Sequence, residues 1–214
     1  MNRLPVFETI DRRIKYYEIM LERTLDDFPL FELPEGYHFE LFRLGDCSAW
    51  IDIECSAKEF LSYEKAVIAW NRYYAGREDE LVNRMVFLVT DSGEKIGTAT
   101  AFYDLFGNDK SCDGYLHWVA IKREFQGLGL SKPLISHTLS LLKDMGYLKA
   151  KIPTQTTTWV ACKVYLDFGF RPTKQTVVKN YDGLKILKRL IAHPVLSNYE
   201  TAEDHEVLRE IDLP

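Results

Sequence analysis

The sequence predicts an α/β fold with a mixed sheet, because strand-like and helix-like segments alternate along it. Two stretches carry the prediction. Residues 84–90 and 95–103 alternate apolar and polar positions around Asp91-Ser92-Gly93-Glu94, a composition suited to a tight turn, so they read as an antiparallel hairpin. Residues 114–131 (GYLHWVAIKREFQGLGLS) read as a buried strand over 115–121, a charged turn at Lys122-Arg123-Glu124, and a glycine-punctuated loop opening a helix that ends near Gly146.

Composition bounds the rest. The chain has 214 residues, 46% hydrophobic and 28% charged, enough for one domain with a substantial core. No run of about eighteen apolar residues occurs, so no spanning helix and no membrane role are expected. The start, MNRLPVFETIDRR, meets charges before any apolar core of a signal peptide, and a cytoplasmic location is expected. Cys47, Cys55, Cys112 and Cys162 lack metal-ligand or CxxC spacing, so they read as reduced thiols, with no metal. A net charge of −5 argues against nonspecific nucleic-acid binding and suits a cationic amine substrate.

Taken in order, Ile10, Ile14, Tyr17, Leu21 and Leu25 recur at helical spacing and predict an amphipathic N-terminal helix. Its stripe would cover either the domain's own sheet or a second subunit of a homodimer. A Pro- and Gly-marked connector (28–36) leads to an alternating strand over 37–44. Asp46 is placed to cap the next helix, CSAWIDIECSA, and residues 63–74 form another. Trp50, Glu54, Phe60, Tyr63, Trp70 and Tyr74 lie on or between these helices, where packing is the first explanation for each aromatic. After the hairpin, residues 104–113 form a polar loop into the central strand. The helix beyond the glycine loop carries Leu130, Leu134, Leu141 and Met145 on one face, tolerates Pro133 in its first turn and stops at Gly146. A short strand over 147–152, a threonine-rich turn (154–158) able to cap a helix, and that helix follow. A strand over 175–179 then precedes a helix with Leu184, Leu187, Leu190 and Ile191, and the polar tail from Ser197 is expected to fray.

The glycine loop is the chemical centre. Glycines let the backbone approach a ligand, and the first amides of a helix lack internal partners and carry its positive dipole end, so the stretch suits a phosphate or pyrophosphate. A P-loop would need Lys-Ser/Thr after the second glycine, but Leu130-Ser131 follow Gly129. A dinucleotide fingerprint would need glycine where Lys132 stands. Gln126, Gly129 and Ser131, with Gly127 as an extra glycine and Val119 and Ile121 as the preceding strand pair, resemble the acyl-CoA loop of the GNAT N-acyltransferases, Gln/Arg-x-x-Gly-x-Gly/Ala. Ser131 departs from that pattern. About thirty residues on, Ala161, Tyr165, Gly169 and Phe170 match the second half of the same signature in register, with Thr158 in place of the usual Asn.

The resemblance covers roughly residues 37–172. It implies the GNAT fold, a mixed, mostly antiparallel central sheet flanked by helices, with a splayed strand pair that binds acyl-CoA. Residues 37–178 would be the acyltransferase domain, 1–36 an N-terminal extension and connector, and 179–214 a C-terminal helix and tail. The implied activity is acetyl transfer from acetyl-CoA to a primary amine of a small molecule or peptide by direct attack. Main-chain amides of Gln126, Gly127, Leu128, Gly129, Leu130 and Ser131 would hold the pyrophosphate, Val119 and Ile121 the pantetheine, and Thr158 would join them. Tyr165 would give its proton to the departing thiolate. Tyr115 and His117 share strand parity with Val119 and Ile121 provided no bulge intervenes. His117, titrating near neutrality, is then a candidate base, with Glu54 as the alternative. Cys162, one turn before Tyr165, reads as a small core residue. His137, His193 and His205 show no partner pattern. The alternative reading is a noncatalytic CoA-binding regulatory module on the same scaffold.

Overall fold

Strand-forming residues dominate the middle of the chain and pair with their sequence neighbours. The computed structural model describes residues 10–105 and 113–209. Part of the expected loop over 104–113, including Cys112, lies outside the described residues, as do the first residues of the expected N-terminal helix. Among the described residues seven strands form a mostly antiparallel sheet: β1 (Glu18–Thr24), β2 (Tyr37–Leu41), β3 (Met85–Thr90), β4 (Lys95–Tyr103), β5 (Gly114–Ile121), β6 (Lys149–Gln155) and β7 (Arg171–Pro172). Their order is β2-β3-β4-β5-β6-β1-β7. Among the described residues eight α-helices accompany them: α1 (Cys47–Ser56), α2 (Tyr63–Tyr73), α3 (Glu78–Leu81), α4 (Ser131–Asp144), α5 (Trp159–Asp167), α6 (Lys174–Lys179), α7 (Tyr181–Leu190) and α8 (Asp204–Val207). No helix among the described residues is long and apolar enough to cross a membrane.

The chain clusters into two compact units. As far as they are described, one is the stretch Thr24–Ala150 and the other joins residues 10–23 with residues 151–209. In the first, β2, β3, β4 and β5 pair antiparallel in sequence, with the hairpin turning at Gly93 (φ 87°). The expected hairpin is present. α1 and α2 cover one face with Trp50, Ile53, Ala66 and Trp70, all buried. Asp46 sits at the start of α1 but does not cap it: its carboxylate accepts the Arg43 amide at 2.8 Å and pairs with Lys95. α4 buries Leu134, Ile135, Thr138, Leu139 and Leu142, while Leu141 and Met145 are only half-buried, and the helix gives way at Gly146 (φ 88°).

The second unit corrects three expectations. No amphipathic helix spans the described N-terminal residues. Ile19 and Leu21 are buried two positions apart in β1, and Ile14 forms an isolated antiparallel bridge with Leu208. The helical spacing of Ile10, Ile14, Leu21 and Leu25 is real and all four are buried, but without a helix: the backbone around β1 is tied to threonines instead. Tyr17 N–H donates to Thr156 Oγ1 at 3.0 Å, and Met20 N–H donates to Thr176 Oγ1 at 2.9 Å while that hydroxyl lies 3.0 Å from Met20 O. The second correction follows from those hydroxyls: residues 175–179 fall within α6, capped by Thr173 accepting the Thr176 amide at 3.2 Å. β-Branched residues suggested a strand; the cap and the buried Thr176 override that weak preference. Third, the tail is packed as far as it is described. Glu203 and Glu206 make a reciprocal capping box at α8, Lys185 meets Glu206 at 3.1 Å, and Ala202 and Val207 join Ile14 and Ile186 in a small core.

Candidate active site

At the end of β5 the chain makes a short turn at Arg123–Phe125, fixed to α1 by the Arg123 amide donating to Ser56 Oγ at 3.1 Å. Gln126 folds its side-chain amide back onto Ile121 O at 2.8 Å, so it braces the loop from within. Gly127 (φ 76°) and Gly129 (φ 80°) are in the left-handed region, and no atom lies within 4 Å of the position a Cβ would take at either. Leu130 is buried and anchors the loop, whereas Leu128 is exposed. α4 begins without a side-chain cap, and the main-chain amides of residues 127–132 find no acceptor among the described residues. Free amides at the positive end of a 14-residue helix make a cradle for an anion.

The strand before the loop carries a bulge. Thr98 opposes Ala120 but Thr100 opposes His117, so Ala99 faces the pair Trp118-Val119, and Trp118 takes φ 49°. The expected common face of Tyr115, His117, Val119 and Ile121 is therefore broken. His117, Trp118 and Ala120 turn toward α1 and α2, and by alternation Val119 and Ile121 lie on the opposite side.

His117 is enclosed by rings, stacked on Phe102 at 5.9 Å and edge-on to Tyr73 at 5.1 Å. Its Nδ1 is 3.1 Å from the Tyr74 hydroxyl, which lies 3.0 Å from Thr100 Oγ1. The phenol has one proton for two contacts, so one neighbour receives it and the other donates. His117 is half-buried among these rings, and burial pulls its pKa down to about 3. His117 is neutral at pH 7, and the expectation that it titrates near neutrality is corrected. Tyr74 is pushed well above its ordinary value, first by burial.

Glu54, one turn after Trp50 on α1, is 1% exposed. Burial, with a smaller contribution from Glu59, raises its pKa well above the usual carboxylate value. Its Oε1 has no partner. Among the described residues, the buried side-chain polar atoms left without a hydrogen bond are Trp50 Nε1, Glu54 Oε1, Thr98 Oγ1 and Trp118 Nε1. All four belong to α1, β4 and β5.

In the second unit, the helix signature has a physical basis. α5 ends where Gly169 turns to φ 88°, allowing the Phe170 amide to return to Tyr165 O at 3.1 Å. Tyr165 is buried, with its ring edge-on to Phe170 at 6.2 Å. Thr158 does not cap α5; its hydroxyl donates to Gln155 O at 3.0 Å and meets Thr154 at 3.1 Å. Cys162 is fully buried, and its thiol is pushed up to about 12 by desolvation, as befits a core residue. His137 and His193 do find partners: His137 stacks on Phe39 at 4.2 Å, and His193 accepts the Val195 amide at 3.2 Å.

Sequence reasoning did not find Trp118, Tyr73 or Thr98. Trp118 faces this cluster only because of the bulge, which alternation in LHWVAI does not disclose.

The sequence profile of the Acetyltransferase (GNAT) family matches residues 47–170. No curated protein matches the chain. Among solved structures, a GCN5-related N-acetyltransferase from Sphaerobacter thermophilus superposes with TM-score 0.58 at 19% identity, covering 76% of this chain and 50% of its own. A GNAT-family acetyltransferase from Colwellia psychrerythraea gives 0.55 at 13%, covering 77% and 55%. The glucosamine N-acetyltransferase region of a fungal multi-domain β-N-acetylglucosaminidase gives 0.56 at 14%, covering 75% and 20%. The chain thus spans about half or less of the length of these structures. The likeness is one of fold, and together with the family profile it leads to one conclusion: this chain belongs to the GNAT acetyltransferase family.

Proposed function

We propose that the chain is an acyl-CoA-dependent N-acyltransferase that moves an acetyl group from acetyl-CoA to a primary amine of a small molecule or peptide. The observation that carries this reading is the row of unpartnered amides over residues 127–132 at the start of α4, beside two left-handed glycines with open space around them. Gln126 braces that loop, and the backbone of Gly127, Leu128, Gly129, Leu130 and Ser131 binds the pyrophosphate; the Ser131 hydroxyl adds a donor there. Val119 and Ile121 offer main-chain groups to the pantetheine, and Thr158 completes the signature. The thioester supplies an activated acyl group. An amide aimed at its oxygen lowers the barrier by on the order of 3 kcal/mol.

Tyr165 is the proton donor to the departing thiolate, a role that rests on the motif. A phenol, with an ordinary pKa of about 10, is protonated at pH 7. His117 is a poor base, because a conjugate acid near 3 takes a proton weakly from an alkylammonium. The amine's proton therefore leaves to solvent. That lack favours one second reading, a noncatalytic CoA-binding module.

Calorimetry with acetyl-CoA tests the core of the reading, with low-micromolar binding expected. No heat and no thermal shift at millimolar ligand would overturn it. Thiol release with a mixed panel of amines then separates the two readings, since an enzyme turns over and a sensor only binds.

A further inference from the structure

Among the described residues β2 stands first in the sheet order and pairs with β3 alone. The Phe42 amide donates to Met85 O at 2.9 Å and the Asp91 amide to Gly36 O at 3.0 Å, so on this antiparallel ladder His38 and Glu40 turn their main-chain groups to β3. Tyr37, Phe39 and Leu41 turn theirs outward, and these N–H and C=O groups meet no partner among the described residues. Edge strands are commonly blunted by proline, lysine, a bulge or extreme shortness. β7, last in the order, is two residues long and ends in Pro172. β2 has five residues, neither proline nor lysine, and an unbroken register against β3, so its edge is unguarded.

The side chains say which partner suits that edge. Phe39 stacks on His137 of α4, so by alternation Tyr37, Phe39 and Leu41 share the α4 face, where Leu41 is 40% exposed. His38 and Glu40 share the other face with Phe42, which packs on Trp70; they lie 3.4 Å apart and both are reached by solvent. Read in reverse, Tyr-His-Phe-Glu-Leu complements itself: apolar residues fall opposite apolar ones, and histidine falls opposite glutamate. The outward groups belong to odd-numbered residues, so a second copy can close the hydrogen bonds only with odd opposite odd. With the two Phe39 residues opposed, Tyr37 faces Leu41 of the second copy and every outward N–H and C=O is used. His38 then faces Glu40 of the second copy in a non-hydrogen-bonded pair, where side chains come closest, with Cα atoms about 4.5 Å apart. An imidazole N–H donates to a carboxylate from the neutral ring as well as from the protonated one. The next allowed register on either side sets Glu40 against Glu40 or His38 against His38, and the complementarity is lost.

We propose that the β2 edge is a homodimer interface, in which two copies pair antiparallel through Tyr37–Leu41 about a two-fold axis at Phe39, with His38 and Glu40 setting the register. Main-chain hydrogen bonds hold the strands together, and the exposed Leu41 side chain is covered by Tyr37 of the second copy. Because the pattern complements itself, a second copy fits this edge better than a strand of unrelated sequence. The proposal is independent of the acyl-transfer reading, since no ligand enters it.

The test is sedimentation velocity of the full chain from about 1 μM to about 500 μM, a span in which even a weak contact populates a dimer. Reversible conversion to twice the 24.9 kDa mass of one chain is expected. Leu41→Pro removes an outward amide that β3 does not use, and proline is tolerated on an edge strand, so this variant is expected to melt as a folded protein yet stay monomeric throughout. His38→Glu and Glu40→His each set like groups opposite one another and are expected to weaken association about tenfold. The double swap, His38→Glu with Glu40→His, restores the complementary pattern and is expected to restore the dimer. A parent chain that stays monomeric at the highest concentration overturns the proposal, and so does a dimer that persists in folded Leu41→Pro. Single substitutions without effect, or a swap that fails to restore what they weaken, overturn it as well. Assemblies that grow past the dimer do the same, because a two-fold contact closes on itself. Should Leu41→Pro fail to fold, the charge series decides alone.

Discussion

Tyr165→Phe removes one oxygen and keeps the ring against Phe170, so stability and CoA affinity are expected to hold while turnover falls by about 10²–10⁴. Stopped turnover with calorimetrically normal CoA binding supports the acid role; loss of both would make the residue structural. His117 and Glu54 give opposite pH signatures. The folded-state pKa of His117 is about 3, below its unfolded value of about 6.5, so the unfolded chain binds the extra proton between those limits and stability falls as pH drops through the window. Glu54 is shifted upward, so its folded form keeps a proton that the unfolded chain releases above about pH 4.5. Its contribution is lost as pH rises. Melting curves should therefore show Glu54→Gln gaining stability relative to the parent at pH 8 but not at pH 4, and His117→Gln gaining it at pH 5 but not at pH 8. A pH–rate profile unchanged between pH 6 and 7 in His117→Gln would agree, because the parent residue does not titrate there.

Among the elements, the glycine loop gives the sharpest expectation. Gly129 is left-handed and nothing occupies its Cβ direction, so Gly129→Glu puts a charged side chain into open space where an anion would approach. Acetyl-CoA binding by calorimetry should be lost, while the fold bears only the backbone strain of roughly 1 kcal/mol. This loop was legible in the sequence because its function is written in glycine spacing, and the hairpin because turn chemistry and alternation agree. The bulge was not legible: one extra residue opposite Ala99 redirects Trp118, and neither residue type nor spacing marks it. The N-terminal residues failed for a different reason. Ile10, Ile14, Leu21 and Leu25 satisfy a helical period, yet Ile19 and Leu21 also satisfy a strand period, and distant threonines decided between them. Residues 175–179 were misread because the partner that fixes α6, the Met20 backbone, is far away in sequence.

For the whole molecule, the family resemblance located the central sheet and both halves of the signature. Residues 10–23 cluster with residues 151–209, and Leu21 pairs with Pro172. Deleting the chain through Arg23 removes fully buried Leu21 and nearly buried Ile19, so the truncated protein should lose cooperative melting and α5 should lose hydrogen-exchange protection. Retention of both would make β1 a dispensable extension. The same closure has a consequence during synthesis. Once β1 has left the ribosome, its partner Pro172 appears about 150 residues later, which at 5–20 residues per second is on the order of ten seconds. For that interval β1 waits with an open edge while the continuous unit after it completes, so nascent chains halted before β7 should recruit holdase chaperones through residues 18–24.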